Sequence, residues 1–183
     1  MLERIFAAQK ADEIKEQYQT SNIWEILDLM HINHKKSELG SRTTGLKGYC
    51  VSFFEQYYLA VNQRLPGYLQ NLIAWHELGH IVCDPELLQN GKTMCEYDPF
   101  HTYDSTEKRA NYFAAEGYID DTAFLDLLKQ GYTLDHAAAF LCVPRDFVIY
   151  KAEILRANGV SLSIPERPDT FCLGTNLIGA ENF

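Results

Sequence analysis

Little in this chain would tie it to an oxidising compartment, a bilayer or a nucleic acid. Its five cysteines, Cys50, Cys83, Cys95, Cys142 and Cys172, are odd in number and never form a Cys-x-x-Cys pair. That argues against a disulfide framework or a cysteine-based zinc knuckle and predicts reduced thiols. No apolar run approaches the roughly 20 residues that span a bilayer, so no membrane partner is expected. The opening Met1-Leu2-Glu3-Arg4-Ile5 lacks the basic start and apolar block of a secretory signal, so a cytoplasmic location is expected. Basic charge is short: 16 Lys and Arg face 25 Asp and Glu, a net charge of -9. Such a chain repels a phosphate backbone on average, so no direct nucleic-acid partner is expected. The densest basic cluster, His34-Lys35-Lys36 with Arg42 and Lys47 nearby, reads as a solvated loop.

What is present suffices for one domain with a good core, since 46% of the 183 residues are hydrophobic. Leu2 to Gln19 has helical spacing, and Thr20-Ser21-Asn22 offers an N-cap for a second helix running to about His31. A polar linker, Ser37 to Lys47, precedes Tyr49 to Phe54 and Tyr57 to Val61, which are aromatic and β-branched and separated only by Glu55-Gln56. These predict a β-hairpin. An edge strand beside the following helix would suit backbone pairing with an extended peptide, although a hairpin that only packs on that helix explains the same residues. Thr133 to Tyr150 reads as a helix capped by Thr133, a tight turn, and a second helix with Pro144 in its first turn. This is helix-turn-helix-like, but its second helix offers a DNA reader mainly Arg145 and Lys151, so scaffold or partner docking is expected. His136 reads as structural or exposed. Gly159 to Phe183 shows little periodicity and reads as an irregular tail, giving divisions at 1–132, 133–157 and 158–183.

The chemistry is concentrated in His76-Glu77-Leu78-Gly79-His80. Four helical steps bring the second imidazole to within roughly 40° of the first, so both can face one metal ion. Glu77 lies beside that bearing, where its carboxylate can reach a water without ligating the metal. A shuffle of the chain's 6 His and 14 Glu would produce the spacing in roughly 1 to 2 % of cases, so context matters. Leu69, Leu72, Ile73, Leu78, Ile81 and Val82 give the segment helical apolar spacing, and Pro85 closes it. A buried helix whose histidines bond to carbonyls is the competing explanation.

A third protein ligand is needed, commonly a carboxylate from another segment. Glu107 is the candidate, opening an Ala-rich helical stretch after the polar loop Tyr97 to Ser105. Asn111, four residues on, shares its face and can orient a ligand imidazole. Cys83 lies seven residues from His76, roughly 10 Å along the axis, too far to share an ion. Cys95, His101 and Glu116 remain open as rivals. Tyr103, His101 and Tyr112 are candidate oxyanion donors by proximity alone.

His76-Glu-Leu-Gly-His80, followed by Glu107-x-x-Ala110-Asn111-x-Phe113-Ala114-Ala115, resembles the ImmA/IrrE family of metallo-endopeptidases over roughly residues 20 to 157. The resemblance implies an α+β, mostly helical zincin-like (gluzincin-like) fold, with a small antiparallel β-sheet and a C-terminal helix-turn-helix-like hairpin. It implies zinc held by His76, His80 and Glu107, with Glu77 as general base. It further implies a phage or mobile-element role as an anti-repressor that cleaves a DNA-binding repressor. The chain departs from the family after the Ala-Ala pair, reading Glu116-Gly117-Tyr118-Ile119-Asp120-Asp121 where an apolar stretch closed by Pro is usual. A non-catalytic, antitoxin-like binding regulator on the same metal fold is the alternative function.

Overall fold

A computed structural model describes residues 2–43, 45–88, 93–96 and 104–162. Among these the chain is α+β, with eight helices and one four-stranded sheet. The leading helices are α1 (Leu2–Tyr18) and α2 (Ile23–Leu29), the latter capped by Asn22, whose side chain accepts from Trp24 N at 3.2 Å. The strands are β1 (Asn33–Ser37), β2 (Gly48–Phe53), β3 (Gln56–Asn62) and β4 (Thr93–Glu96), in the order β1-β3-β2-β4. The hairpin β2–β3 forms as expected and places Cys50 opposite Leu59. Its two-residue turn falls on Phe54 and Glu55, at φ 48° and 60°, matching the twist of the flanking strands.

The sheet departs from the sequence reading in two ways. It is mixed rather than antiparallel, because β1 pairs in parallel with β3, Asn33 opposite Tyr58. The His34-Lys35-Lys36 cluster, read as a loop, is therefore a strand. Its side chains are mostly exposed, so the segment shows no apolar alternation. Its backbone pairs with β3 while His34 and Lys36 meet the Trp24 ring of α2, and lysines on an outer strand discourage further pairing. Moreover, neither hairpin strand is an edge: β1 covers β3 and β4 covers β2. The expectation that the hairpin offers an edge to an extended peptide is thereby corrected.

The central element is α3 (Gly67–Cys83), followed by the short α4 (Pro85–Leu88). Every residue from Leu72 to Ile81 is buried, as befits a helix packed on several sides. The sheet lies against one side, with α1 and α5 (Ser105–Tyr118) against another. The seam between α3 and α5 is very close. A Cβ at Gly79 would lie 3.0 Å from Ala110 Cα and 3.2 Å from its carbonyl oxygen, and one at Gly117 would overlap the indole of Trp75. Two glycines, one from each helix, thus let the backbones approach.

After α5 come α6 (Asp121–Lys129), α7 (Leu134–Leu141) and α8 (Arg145–Ala157). Asp120 caps α6 through Ala123 N at 2.8 Å, and Thr133 caps α7 through His136 N. Gly131, at φ 86°, closes α6 in the left-handed conformation, with Tyr132 N donating to Leu127 O at 3.1 Å. Eight of the thirteen residues of α8 are buried, packed largely on α5. Lys151 is fully buried, pairing with Glu116 at 2.8 Å and with Asp121, while Arg145 pairs with Asp135 at 2.6 Å. Arg145 and Lys151, the two basic side chains singled out for a DNA reader, are thus engaged within the protein. His136 is exposed and stacks edge-on against Tyr132. Most of the tail expected over Gly159 to Phe183 lies outside the described residues. No helix among the described residues is long and apolar enough to cross a membrane.

The buried pair gives a stability test. Lys151→Met leaves the nearly buried Glu116 with only Lys15, 3.7 Å away, and is expected to cost about 3 kcal/mol or more in urea unfolding. Adding Glu116→Leu should recover most of that loss, because no uncompensated charge then remains inside.

Candidate metal centre

The α3–α5 seam brings three metal-ligating side chains to one point. His76 and His80, one turn apart on α3, are fully buried, and their Nε2 atoms lie 3.1 Å apart. Glu107 enters from the first turn of α5, with Oε2 3.3 Å from His76 Nε2 and Oε1 3.4 Å from His80 Nε2. One ligand atom from each of the three falls within 4.8 Å of the others. Asp104 fixes where α5 starts, its carboxylate accepting from Thr106 N at 2.8 Å. That start sets Glu107 in the positive end of the helix dipole, which favours its ionised form.

The protonation states suit metal binding. Burial is the largest influence on His76 and lowers its pKa, against opposing contributions from Glu107. The neutral imidazole is the ligand form. For Glu107, burial pushes upward, but the adjoining His76 and His80 imidazoles hold the carboxyl well below its usual range. Asn111, on the α5 face that carries Glu107, accepts from His76 Nδ1–H at 2.9 Å. That bond fixes the tautomer and leaves the Nε2 lone pair directed at the cluster. His80 Nδ1 has no such partner among the described residues, so that ring is oriented by packing and by its Nε2 contact with Glu107.

Two imidazole nitrogens and a carboxylate, all buried and turned toward one another, concentrate lone pairs at one point. A divalent cation matches that donor set, and the combination of two nitrogens and one oxygen is a common zinc set that keeps a fourth position open. Glu77 sits between the two histidines in sequence and is fully buried.

The remaining candidates fall elsewhere. Cys83 stays outside the cluster, as its spacing required. Glu116 is occupied by Lys151 and Lys15, which corrects its standing as a rival ligand. The Tyr112 hydroxyl donates to the Glu153 carboxylate and its ring meets Tyr150 edge-on, which removes it as an oxyanion donor. His101, Tyr103 and the Cys95 side chain lie outside the described residues.

Sequence reasoning missed the clamp beside the cluster. Arg109 Nε donates to both oxygens of Asp84, at 3.1 and 3.2 Å, and Nη1 reaches Glu3 at 3.3 Å. Asp84 caps the end of α3 four residues past His80, so the clamp pins that end to α5 two residues past Glu107. No periodicity links positions 84 and 109, which left no signal to find.

Asn111→Ala is expected to leave the fold intact and weaken metal affinity about 10- to 100-fold in a competitive chelator titration. Burial, then Asp84, pushes the Cys83 thiol up to about 12. At pH near 8, iodoacetamide should therefore modify the exposed Cys142 while Cys83 stays unmodified, as read peptide by peptide in a mass spectrometer.

Comparison with known proteins agrees with this geometry. Residues 29–153 match the IrrE N-terminal-like domain of the M78 peptidases. Metallopeptidase ImmA of Bacillus subtilis (strain 168) is 28% identical over 144 residues, covering 78% of this chain and 81% of that protein. No solved structure matches the chain significantly. The matched span runs from the end of α2 into α8 and takes in every residue of the buried cluster; the chain belongs to the M78 peptidase family, with its IrrE N-terminal-like domain.

Proposed function

We propose that this chain is a zinc-dependent endopeptidase, with His76, His80 and Glu107 holding the ion and Glu77 acting as general base. The observation that carries the reading is the convergence within 4.8 Å of three buried ligand atoms, two from the helix that also carries Glu77 and one from α5. A bound zinc ion supplies Lewis-acid polarisation of the scissile carbonyl and acidifies the attacking water. Glu77 accepts the proton of that water and delivers it to the leaving amine, a role served by a carboxylate kept out of bulk solvent. Asn111 keeps His76 in the ligating tautomer, and the Arg109–Asp84 clamp keeps Glu107 aligned with the imidazoles.

The protein substrate we favour is a helix-turn-helix transcriptional repressor, cut in the cytoplasm to relieve repression. The net charge of -9 suits an encounter with a basic DNA-binding partner. In this reading residues 1–132 form a zincin-like peptidase unit. Residues 133–157 form a helix-turn-helix-like hairpin that braces α5 from behind, and 158–183 follow as a tail. The relative named as a metallopeptidase supports the reaction class.

Glu77→Gln should retain bound zinc yet lower turnover by about 10²- to 10⁴-fold, whereas Glu107→Gln should lose the metal itself. Co-expression with a repressor encoded beside this gene gives the biological readout. Full-length repressor should disappear with the wild-type chain and persist with Glu77→Gln. Normal cleavage by Glu77→Gln, at full metal content, would sink the assignment.

A further inference from the structure

Gly48 opens β2 at a point where α3 presses on the sheet. A Cβ there would lie 2.6 Å from Ile73 Cγ2, 2.7 Å from Glu77 Oε1 and 3.2 Å from the Ala60 carbonyl oxygen. Comfortable non-bonded contacts lie at about 3.5 to 4.0 Å, so any side chain at this position must displace something. The backbone of Gly48 is not in the left-handed region, so its conformation does not itself demand glycine. Nor can the strand retreat, because Gly48 sits in register between Val61 of β3 and Glu96 of β4. Glycine inside a strand marks a close approach by another group, and here two groups approach, the Ile73 methyl and the Glu77 carboxylate.

Ile73 and Glu77 are one turn apart on α3 and are both fully buried. They would respond differently to a methyl group at position 48. Ile73 is β-branched and stiff, so its collision is a matter of packing and stability. Glu77 ends in a flexible carboxylate that gives way easily, at the cost of leaving its place.

We propose that Gly48 is a positioning residue for Glu77: the missing side chain on β2 is the space that lets the Glu77 carboxylate lie between the sheet and the His76–His80 face. The inference rests on the reading of Glu77 as the base. It adds a second strand of control, in which the sheet sets the position of the base while α5 sets the third ligand.

The test compares wild type with Gly48→Ala, Ile73→Ala, the double variant Gly48→Ala/Ile73→Ala, and Glu77→Gln. Zinc content, kcat and KM are read on a quenched-fluorescent peptide chosen from a proteome-derived library that the wild type cuts. The metal-free Gly48→Ala protein is also crystallised. Gly48→Ala should bind zinc as tightly as wild type and show similar KM, with kcat down by about 100-fold, the scale of a misplacement near 1 Å. Its crystal structure should show the Glu77 carboxylate displaced. Ile73→Ala removes the packing collision, so the double variant should keep the kcat defect relative to Ile73→Ala alone. Equal turnover by the double variant and Ile73→Ala, or an unmoved carboxylate in the crystal, would show that Gly48 serves packing only. Normal turnover by Glu77→Gln would instead overturn the base assignment and this inference with it.

Discussion

The closeness of α3 and α5 is the constraint on which the rest of the structure depends. Histidine and glutamate side chains reach only a few ångströms from the backbone, and helices packed through ordinary side chains sit about 8 to 10 Å apart. Convergence of His76, His80 and Glu107 therefore requires an unusually thin seam. Gly79 supplies it by placing bare backbone against Ala110, in the middle of the turn that separates the two imidazoles. Trp75 sits where Gly117 leaves room for its ring, and Trp75 and Phe113 pack with centroids 5.8 Å apart. Large and small residues thus alternate along the seam, and Arg109–Asp84 secures its end.

Such a cluster is costly to bury, and its surroundings show how the cost is met. Glu107 is stabilised by the histidines, His76 by Asn111, and the start of α5 by the Asp104 cap. Binding of a cation would convert the remaining mutual repulsion into ligation. Farther out, the ion pair of Lys151 with Glu116 ties α8 to α5, so the C-terminal helices act as a brace behind the helix that carries Glu107. Of the hairpin α7–α8, it is α8 that packs on α5, with eight of its residues buried.

Legibility from sequence followed the range of the physical signal. The α3 helix, the β2–β3 hairpin and the caps Asn22 and Thr133 rest on local periodicity and local hydrogen bonds, and all were readable. By contrast, β1 was not, since none of Asn33 to Ser37 is fully buried and the strand is defined by its backbone pairing with β3. The exit of α5 was similarly obscure. Gly117 breaks the apolar pattern for the sake of a contact with Trp75, a residue 42 positions away.

The sequence by itself determined the chemistry on offer: two imidazoles at helical spacing, a glutamate beside them, and a carboxylate with an amide one turn later on a second helix. Spacing within one helix is enough for this, because 3.6 residues per turn converts position into bearing. Only the tertiary structure decided that the two helices meet, that Glu116 and Tyr112 turn to other partners, and that β2 leaves a gap at Gly48 for the Glu77 carboxylate. Those outcomes depend on which backbones can touch. Close approach between segments far apart in the chain is set by the packing of the whole core, which no local pattern encodes.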